Sequence, residues 1–214
     1  MQSSMSSGRY LSEGKGLLVA LGVFSLLVLL IGGCGVGHYN SLVRSKKNVE
    51  GRWAEIDNQY KRRTDLIPQL VETVKGAANF ESSTLEAVTE ARASVSRMQL
   101  PALPEDPRAL EAYLSAQQKL GGALTRLIAV AESYPDLKAS KNFLSLQDQL
   151  EGTENRIATA RRDYIESVQA YNTKVGVFPG SLFASLFGFK EAAQFQATGE
   201  ERAVPTVQFD FGKK

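Results

Sequence analysis

Residues 42–74 read LVRSKKNVEGRWAEIDNQYKRRTDLIPQLVETV, and the spacing of their apolar side chains decides the fold class. Apolar residues recur at steps of three and four positions with charged residues between them, which is the heptad-like pattern of a long amphipathic helix. Pro68 removes one helical hydrogen bond, so we expect a kink near Thr64–Pro68, but the stripe resumes in phase and the helix should continue. The stripe consists of Leu42, Val49, Trp53, Ile56, Tyr60, Ile67, Leu70 and Val74.

Three further helices are expected from the same periodicity and from capping signals. The first should cover about residues 82–99, the second should begin at the cap Asp106-Pro107, and the third should cover about residues 140–174. A turn is expected at Tyr134-Pro135-Asp136. Short connections make neighbouring helices antiparallel. Residues 38–176 are therefore predicted to form an all-α up-down bundle of two long and two shorter helices. The second helix should turn Leu85, Val88, Val95 and Met98 inward.

One apolar segment precedes the bundle and follows a short polar tail at residues 1–15. Residues 16–37 contain no charged residue and are largely aliphatic at their centre. About 20 residues of helix cross the hydrocarbon of a bilayer. We therefore predict a transmembrane or signal-anchor segment at residues 16–37, which would place the chain in the cell membrane as a single-pass protein.

Cys34 leaves a second form of membrane attachment open. Ile31-Gly32-Gly33-Cys34 resembles a lipobox, in which the cysteine is lipidated and becomes the first residue. The long, weakly basic segment before the apolar run favours the uncleaved anchor. Basic residues after the run mildly favour a cytoplasmic bundle, whereas a lipoprotein would place it outside the cytoplasm. Those basic residues are Arg44, Lys46, Lys47 and Arg52.

Residues 177–214 differ in composition from the bundle. A turn at Val177-Phe178-Pro179-Gly180 is followed by the apolar run SLFASLFGF, and an extended tail is expected at Val204–Phe211. The run predicts a short C-terminal helix that folds back onto the bundle. The alternative is an interfacial or partner-binding element, because an apolar patch of this kind is unfavourable in water.

Composition and motifs argue against several classes of function. The chain has 25 basic and 23 acidic residues, so no net basic surface for nucleic acid is expected. It has one cysteine and one histidine, too few for an intrachain disulfide or the usual zinc sets. The sequence holds no Gly-x-Ser-x-Gly elbow, phosphate-binding loop or His-Glu-x-x-His motif. We expect neither catalysis, nor a cofactor, nor a metal.

The two long helices carry polar residues that antiparallel packing would bring together. If Tyr39-Asn40 lies opposite Tyr171-Asn172, Arg63 lies near Asp148. A polar cluster across this seam would set helix register, as buried polar groups do in coiled coils, or would form a ligand or partner site. Its predicted members are Arg62, Arg63, Asp65, Asp148, Glu151, Asn155 and Arg156.

Several blocks of sequence resemble the LemA family of bacterial membrane proteins, over about residues 16–211. The blocks are YNSLV at 39–43, QYKRRTDLIPQLVETVKG at 59–76, LEAVTEARA at 85–93, AESYPDLKASKNFLSLQDQLEGTENRIATARRDY at 131–164, YNTKVGVFP at 171–179, LFGFK at 186–190 and VPTVQF at 204–209. The resemblance implies a membrane-anchored helical bundle without an established biochemical activity.

These observations favour a non-enzymatic, membrane-tethered binding or scaffold protein of the bacterial envelope. The alternatives are a structural envelope component that self-associates and an enzyme that uses the arginine and carboxylate cluster. The resemblance implies another envelope protein as partner, and the family's co-occurrence with membrane metalloproteases of the stress-response type points to a membrane protease system.

Overall fold

The computed structural model describes the backbone of residues 7–76, 80–98 and 101–195, and the side chains from residue 21 onward except residues 27, 28, 30 and 31 within those ranges. All regular secondary structure in these ranges is helical, which confirms the all-α prediction. The helices are α1 Ser7–Lys75, α2 Ser82–Ser96, α3 Pro107–Ala131, α4 Pro135–Lys138, α5 Lys141–Gly176 and α6 Gly180–Phe187.

The start of α3 follows its local capping signal. Asp106 caps α3, and its side chain accepts a hydrogen bond from the backbone nitrogen of Arg108 at 2.9 Å. Pro107 occupies the first turn of α3, where the missing N–H costs nothing. The expected turn at Tyr134-Pro135-Asp136 is wrong in detail, because Pro135 begins the one-turn helix α4. The predicted tail at Val204–Phe211 lies outside the described residues.

Helix α1 continues through Pro68 to Lys75, as the in-phase stripe predicted. Proline has no N–H, so the carbonyl of Thr64 loses its usual helical partner. The guanidinium of Arg92 in α2 donates from Nε to that carbonyl at 3.4 Å. A neighbouring helix therefore supplies the donor that Pro68 removes.

The chain divides into two compact units. The first unit contains the residues up to Lys47 and Thr173–Lys190, and the second contains Asn48–Asn172 and the residues from Glu191 onward. Helices α1 and α5 both extend from one unit into the other.

In the first unit, α6 packs on the part of α1 around residues 35–39. The ring of Phe183 stacks on His38 with centroids 5.6 Å apart, and Phe187 meets the edge of Tyr39 at 4.9 Å. The expected short C-terminal helix is present, and its packing partner in this unit is α1. Over the described residues, no helix is both long and apolar enough to cross a membrane. The span at residues 16–37, part of which lies outside the described side chains, stays a prediction.

In the second unit, α1 and α5 run antiparallel, and the predicted α1 stripe is buried from Val49 to Val74. Two cross-helix ion pairs, Arg52–Asp163 at 3.1 Å and Arg63–Glu154 at 2.8 Å, fix their direction. Met98 is 37% exposed, so its predicted inward position is wrong; it lies beyond the end of α2 at Ser96. The apolar core includes Ile67, Leu70, Val74, Val88, Leu120, Leu124, Leu127, Phe143, Leu146 and Leu150.

Candidate functional site

A cleft of about 790 Å³ lies between α1, α3 and α5 in the described part of the second unit. Its walls combine aliphatic side chains from α3 with polar and charged groups from α1 and α5. Clefts of this size between bundle helices are typical positions for ligand and partner sites. Its lining includes Tyr60, Arg63, Leu110, Leu114, Gln117, Gly121, Leu124, Ile128, Leu150, Glu151, Glu154, Arg161 and Gln194.

Arg63 is the buried charge of this cleft, with only 4% of its surface exposed. Its Nη1 donates to Glu154 Oε2 at 2.8 Å, and its Nη2 donates to the side-chain and backbone oxygens of Gln117 at 2.7 and 3.1 Å. The guanidinium also lies over the ring of Tyr60, 5.2 Å from the centroid. Arg63 therefore joins α1 to α3 and α5 through three hydrogen bonds and one cation–π contact.

Arg63 and Gln117 each have one buried donor without a hydrogen-bond partner in the described structure. These donors are Arg63 Nε and Gln117 Nε2. A buried donor without an acceptor costs about 1–3 kcal/mol, so this polar group is incompletely satisfied. The side chain of Glu154 is 63% exposed and holds Arg63 from the solvent side. An acceptor group that entered the cleft could therefore replace Glu154 as the partner of Arg63, and water would then solvate the Glu154 carboxylate.

Aromatic residues from three helices support the floor of the cleft. Trp53 and Tyr60 meet the ring of Tyr113 edge-on at 6.0 and 5.8 Å, and Trp53 also contacts Tyr164 at 5.5 Å. Burial raises the pKa of Tyr60, and the nearby guanidinium groups of Arg161 and Arg63 partly oppose that rise. Burial also raises the pKa of Tyr113, with a further contribution from the Asp57 carboxylate. These phenols stay neutral near pH 7.

The described end of the chain, residues 191–195, closes one side of the cleft. The side-chain amide of Asn172 exchanges two hydrogen bonds with the backbone of Ala192, both at 2.9 Å. The hydroxyl of Tyr164 donates to the carbonyl of Ala193 at 2.9 Å, and Ala193 donates to the carbonyl of Pro104 at 2.9 Å. This segment is thereby fixed to α5 and to the loop before α3, and it places Gln194 in the cleft wall.

The structure brings two of the seven predicted cluster residues, Arg63 and Glu151, to this cleft. Arg63 pairs with Glu154 and not with Asp148. Relative to the predicted register, α1 and α5 are therefore shifted along their axes. The assumed pairing of Tyr39-Asn40 with Tyr171-Asn172 had placed Asp148 near Arg63. The other five predicted residues, Arg62, Asp65, Asp148, Asn155 and Arg156, are exposed on the helix surfaces.

Sequence reasoning missed Gln117 and Glu154, although the first carried a usable signal. Gln117 follows Leu110 by seven positions and precedes Leu120 by three, so it occupies a core position of α3 with a polar side chain. Arg63 likewise stands in the apolar phase of α1, between Tyr60 and Ile67. Two polar residues at core positions on separate helices are candidates for a buried pair. Glu154 is exposed and carried no comparable signal.

The remaining candidates for chemistry lie elsewhere. Cys34 is a free, exposed thiol on α1, and His38 stacks on Phe183 in the first unit. Among the described residues, no group of three or more histidine, cysteine and acidic side chains could hold a metal ion. The cleft offers a fixed cation, amide groups and apolar walls, which suit binding of a group with both acceptor and apolar character.

A model of the LemA family matches residues 52–209 of the chain. Protein LemA of Metamycoplasma hominis is 28% identical over 167 residues, which cover 78% of this chain and 73% of that protein. Magnetosome protein MamQ 2 of Paramagnetospirillum magneticum is 27% identical over 201 residues, covering 86% of this chain and 74% of that protein. Magnetosome protein MamQ of Magnetospirillum gryphiswaldense is 24% identical over 196 residues, covering 84% and 71%.

Proposed function

This chain belongs to the LemA family, and on that premise we propose that it is a membrane-tethered helical binding protein without catalytic activity. The N-terminal part of α1 serves as the tether, and the second unit binds a partner through the Arg63 cleft. The proposed partner is another envelope protein, such as a component of a membrane protease system.

The observation that carries the tether is the outward direction of apolar side chains along α1. Leu21, Val23, Phe24, Leu26 and Leu29 are each more than half exposed. A helix that is apolar on all sides needs an apolar environment, and residues 16–37 carry no charge that would oppose lipid. Lipid around these side chains would supply that environment.

The binding role is supported by the composition of the cleft. Arg63 is held rigidly by Gln117, while its acidic partner Glu154 lies largely in water. Rigid polar anchors surrounded by aliphatic side chains are typical of interface pockets. Self-association of the whole chain remains the second candidate; it would leave the cleft without a separate partner.

Extraction of membranes tests the tether. The full-length protein should stay in the pellet after alkaline carbonate treatment, and Phe24→Arg/Leu26→Arg should release it, because each central arginine costs about 2.5–3.5 kcal/mol on insertion. Leu144→Arg, at an exposed position of α5, is the matched control and should stay in the pellet. Release of the wild-type protein by carbonate would refute the tether.

Intact-mass measurement of the membrane form separates the two kinds of attachment. A chain that retains residues 1–37 supports the spanning anchor, whereas a chain that begins at a lipidated Cys34 supports lipoprotein processing. Both results keep the membrane tether, but only the first keeps the helical span.

Crosslinking in membranes tests the binding role of the cleft. Arg63→Met should abolish a stoichiometric crosslinked product that the wild type forms, while Arg52→Met, which breaks the other α1–α5 ion pair, should retain it. Equal products from both variants would refute a role for the cleft. Products composed only of this chain would favour self-association.

A further inference from the structure

The charged side chains of the first unit beyond the apolar segment are all positive. Residues 38–47 and 173–190 contain five basic residues and no acidic residue, although the whole chain has 25 basic and 23 acidic residues. An even balance across the chain therefore conceals a local excess of positive charge. The five residues are Arg44, Lys46, Lys47, Lys174 and Lys190.

The same unit leaves large apolar side chains uncovered on and beside α6. Phe178 is 82% exposed and Leu186 is 71% exposed, and Val177, Leu182 and Phe187 are each more than half exposed. Within α6 the buried residues are Gly180 and Ala184, the smallest of the helix. Helix α6 thus buries its two smallest residues and leaves Leu182, Leu186 and Phe187 more than half exposed, although Phe183 packs on α1. Exposed apolar side chains of this size are unfavourable in water.

The position of α6 along α1 indicates which environment could cover these apolar side chains. Helix α6 packs at Gly35–Tyr39, where the uncharged segment 16–37 ends. A ring atom of Phe183 lies 3.2 Å from the position that a Cβ would take at Gly35. The ring of Phe189, just after α6, has its centroid 5.8 Å from that of Tyr39. If residues 16–37 cross the bilayer, this level of α1 is the membrane–water interface. Aromatic rings and basic side chains concentrate at that level in membrane proteins.

We propose that α6, the preceding Val177-Phe178 and the five basic residues form one surface that binds anionic phospholipids at the membrane interface. The apolar side chains enter the boundary between headgroups and acyl chains, and the lysine and arginine side chains contact lipid phosphates. Apolar burial and attraction to anionic lipid together drive such interfacial binding. This inference rests on the membrane tether proposed above.

Charge argues against a second copy of the same surface as the occupant. A two-fold symmetric contact through residues 38–47 and 173–190 would bring segments of like charge together, because those segments contain five basic residues and no acidic residue. Anionic lipid provides the opposite charge and apolar chains together, so it matches both features of the surface.

A tryptophan placed on this surface tests the proposal in vesicles. The single native tryptophan is first replaced by Trp53→Phe, and Phe178→Trp then reports on α6 in the full-length chain. In vesicles of phosphatidylcholine and phosphatidylglycerol, emission from position 178 should shift to shorter wavelength and be quenched by phospholipids brominated along their acyl chains. Leu144→Trp in the same background is the control and should not be quenched, since Leu144 lies in the second unit, for which no lipid contact is proposed.

The anionic preference is measured with the same probe. Brominated phosphatidylglycerol should quench position 178 several-fold more effectively than brominated phosphatidylcholine at low salt, because basic residues near the surface are attracted to anionic headgroups. The preference should shrink as salt is raised. It should fall towards equality in Arg44→Gln/Lys46→Gln/Lys47→Gln and persist in Lys61→Gln/Arg62→Gln, a control in the second unit.

The outcomes separate this inference from the tether. A chain that resists carbonate extraction but shows no quenching at position 178 would overturn the interfacial surface and leave the tether in place. Equal quenching by both lipids at low salt would overturn the anionic preference. A spectral shift that depends on protein concentration but not on brominated lipid would indicate a second copy and overturn the proposal. Failure of the chain to enter vesicles at all would overturn both.

Discussion

Leu70 and Leu186 show how differently the two units treat the same side chain. Leu70 of α1 is fully buried in the apolar core of the second unit, whereas Leu186 of α6 is 71% exposed in the first. Burying a leucine side chain contributes about 1.5–3 kcal/mol to the free energy of folding. The second unit gains this stabilisation from Leu70, whereas the first unit gains little from Leu186.

The difference extends to charge. The second unit pairs charges across helices, as in Arg52–Asp163 and Arg63–Glu154. In the first unit beyond the apolar segment, by contrast, all charged residues are basic. Helix α1 has exposed apolar side chains near residue 24 and buried ones from Leu42 onward. One helix can therefore carry a surface adapted to lipid and a surface adapted to a protein core.

Truncating a leucine in each unit should give the largest contrast. Leu70→Ala should lower the free energy of unfolding by about 2–5 kcal/mol, because it removes buried contacts and leaves a cavity. Leu186→Ala should change it by no more than about 0.5 kcal/mol in detergent solution. Urea unfolding followed by Trp53 fluorescence and far-UV circular dichroism would measure both. Comparable losses for the two variants would contradict the assignment of α6 as an uncovered surface.

Removing either partner of the cleft ion pair should give an unequal and smaller effect. Arg63→Met should cost about 2–3 kcal/mol, because it leaves the buried oxygen of Gln117 without its donor. Glu154→Gln should cost less than about 1 kcal/mol, because residue 154 is largely exposed and the amide oxygen can still accept from Arg63. The same urea measurement applies. Equal costs would show that Arg63 is not anchored independently by Gln117.

Alkaline pH should weaken the second unit through its buried phenols. Burial, with smaller contributions from Glu105 and Glu50, raises the pKa of Tyr171 to about 12. An unfolded tyrosine ionises near pH 10, so the stabilisation is complete below about pH 10 and is lost as the pH rises through about 12. Tyr171→Phe should lose less stability than the wild type between these values. Identical slopes in urea titrations from pH 9 to 12 would refute this contribution.

Two glycine substitutions should give the smallest effects, with opposite signs. Gly188 follows α6 with φ of +72°, a conformation that costs a non-glycine residue about 1 kcal/mol, so Gly188→Ala should destabilise the first unit. Gly122 lies inside α3 with no atom within 4 Å of the position that an added methyl group would take, so Gly122→Ala should stabilise the second unit by about 0.5–1 kcal/mol. Thermal melts by circular dichroism would measure both, and shifts of the same sign would contradict this pair of predictions.

The sequence by itself determined the helices and most of the core. All eight residues of the α1 stripe from Leu42 to Val74 are buried. The cap at Asp106 and the continuation past Pro68 were also predictable. These features depend on local periodicity and capping, which act over a few residues and are therefore legible in one stretch of chain.

Only the tertiary structure decided how the helices are matched across space. Sequence periodicity repeats every turn, so it permits several registers between α1 and α5, and the contacts of Arg63 with Gln117 and Glu154 select one of them. The donor from Arg92 to the carbonyl freed by Pro68 depends on the same packing. The outward apolar face of α6 was also undecided, because burial on a partner helix and exposure to lipid require the same residue types.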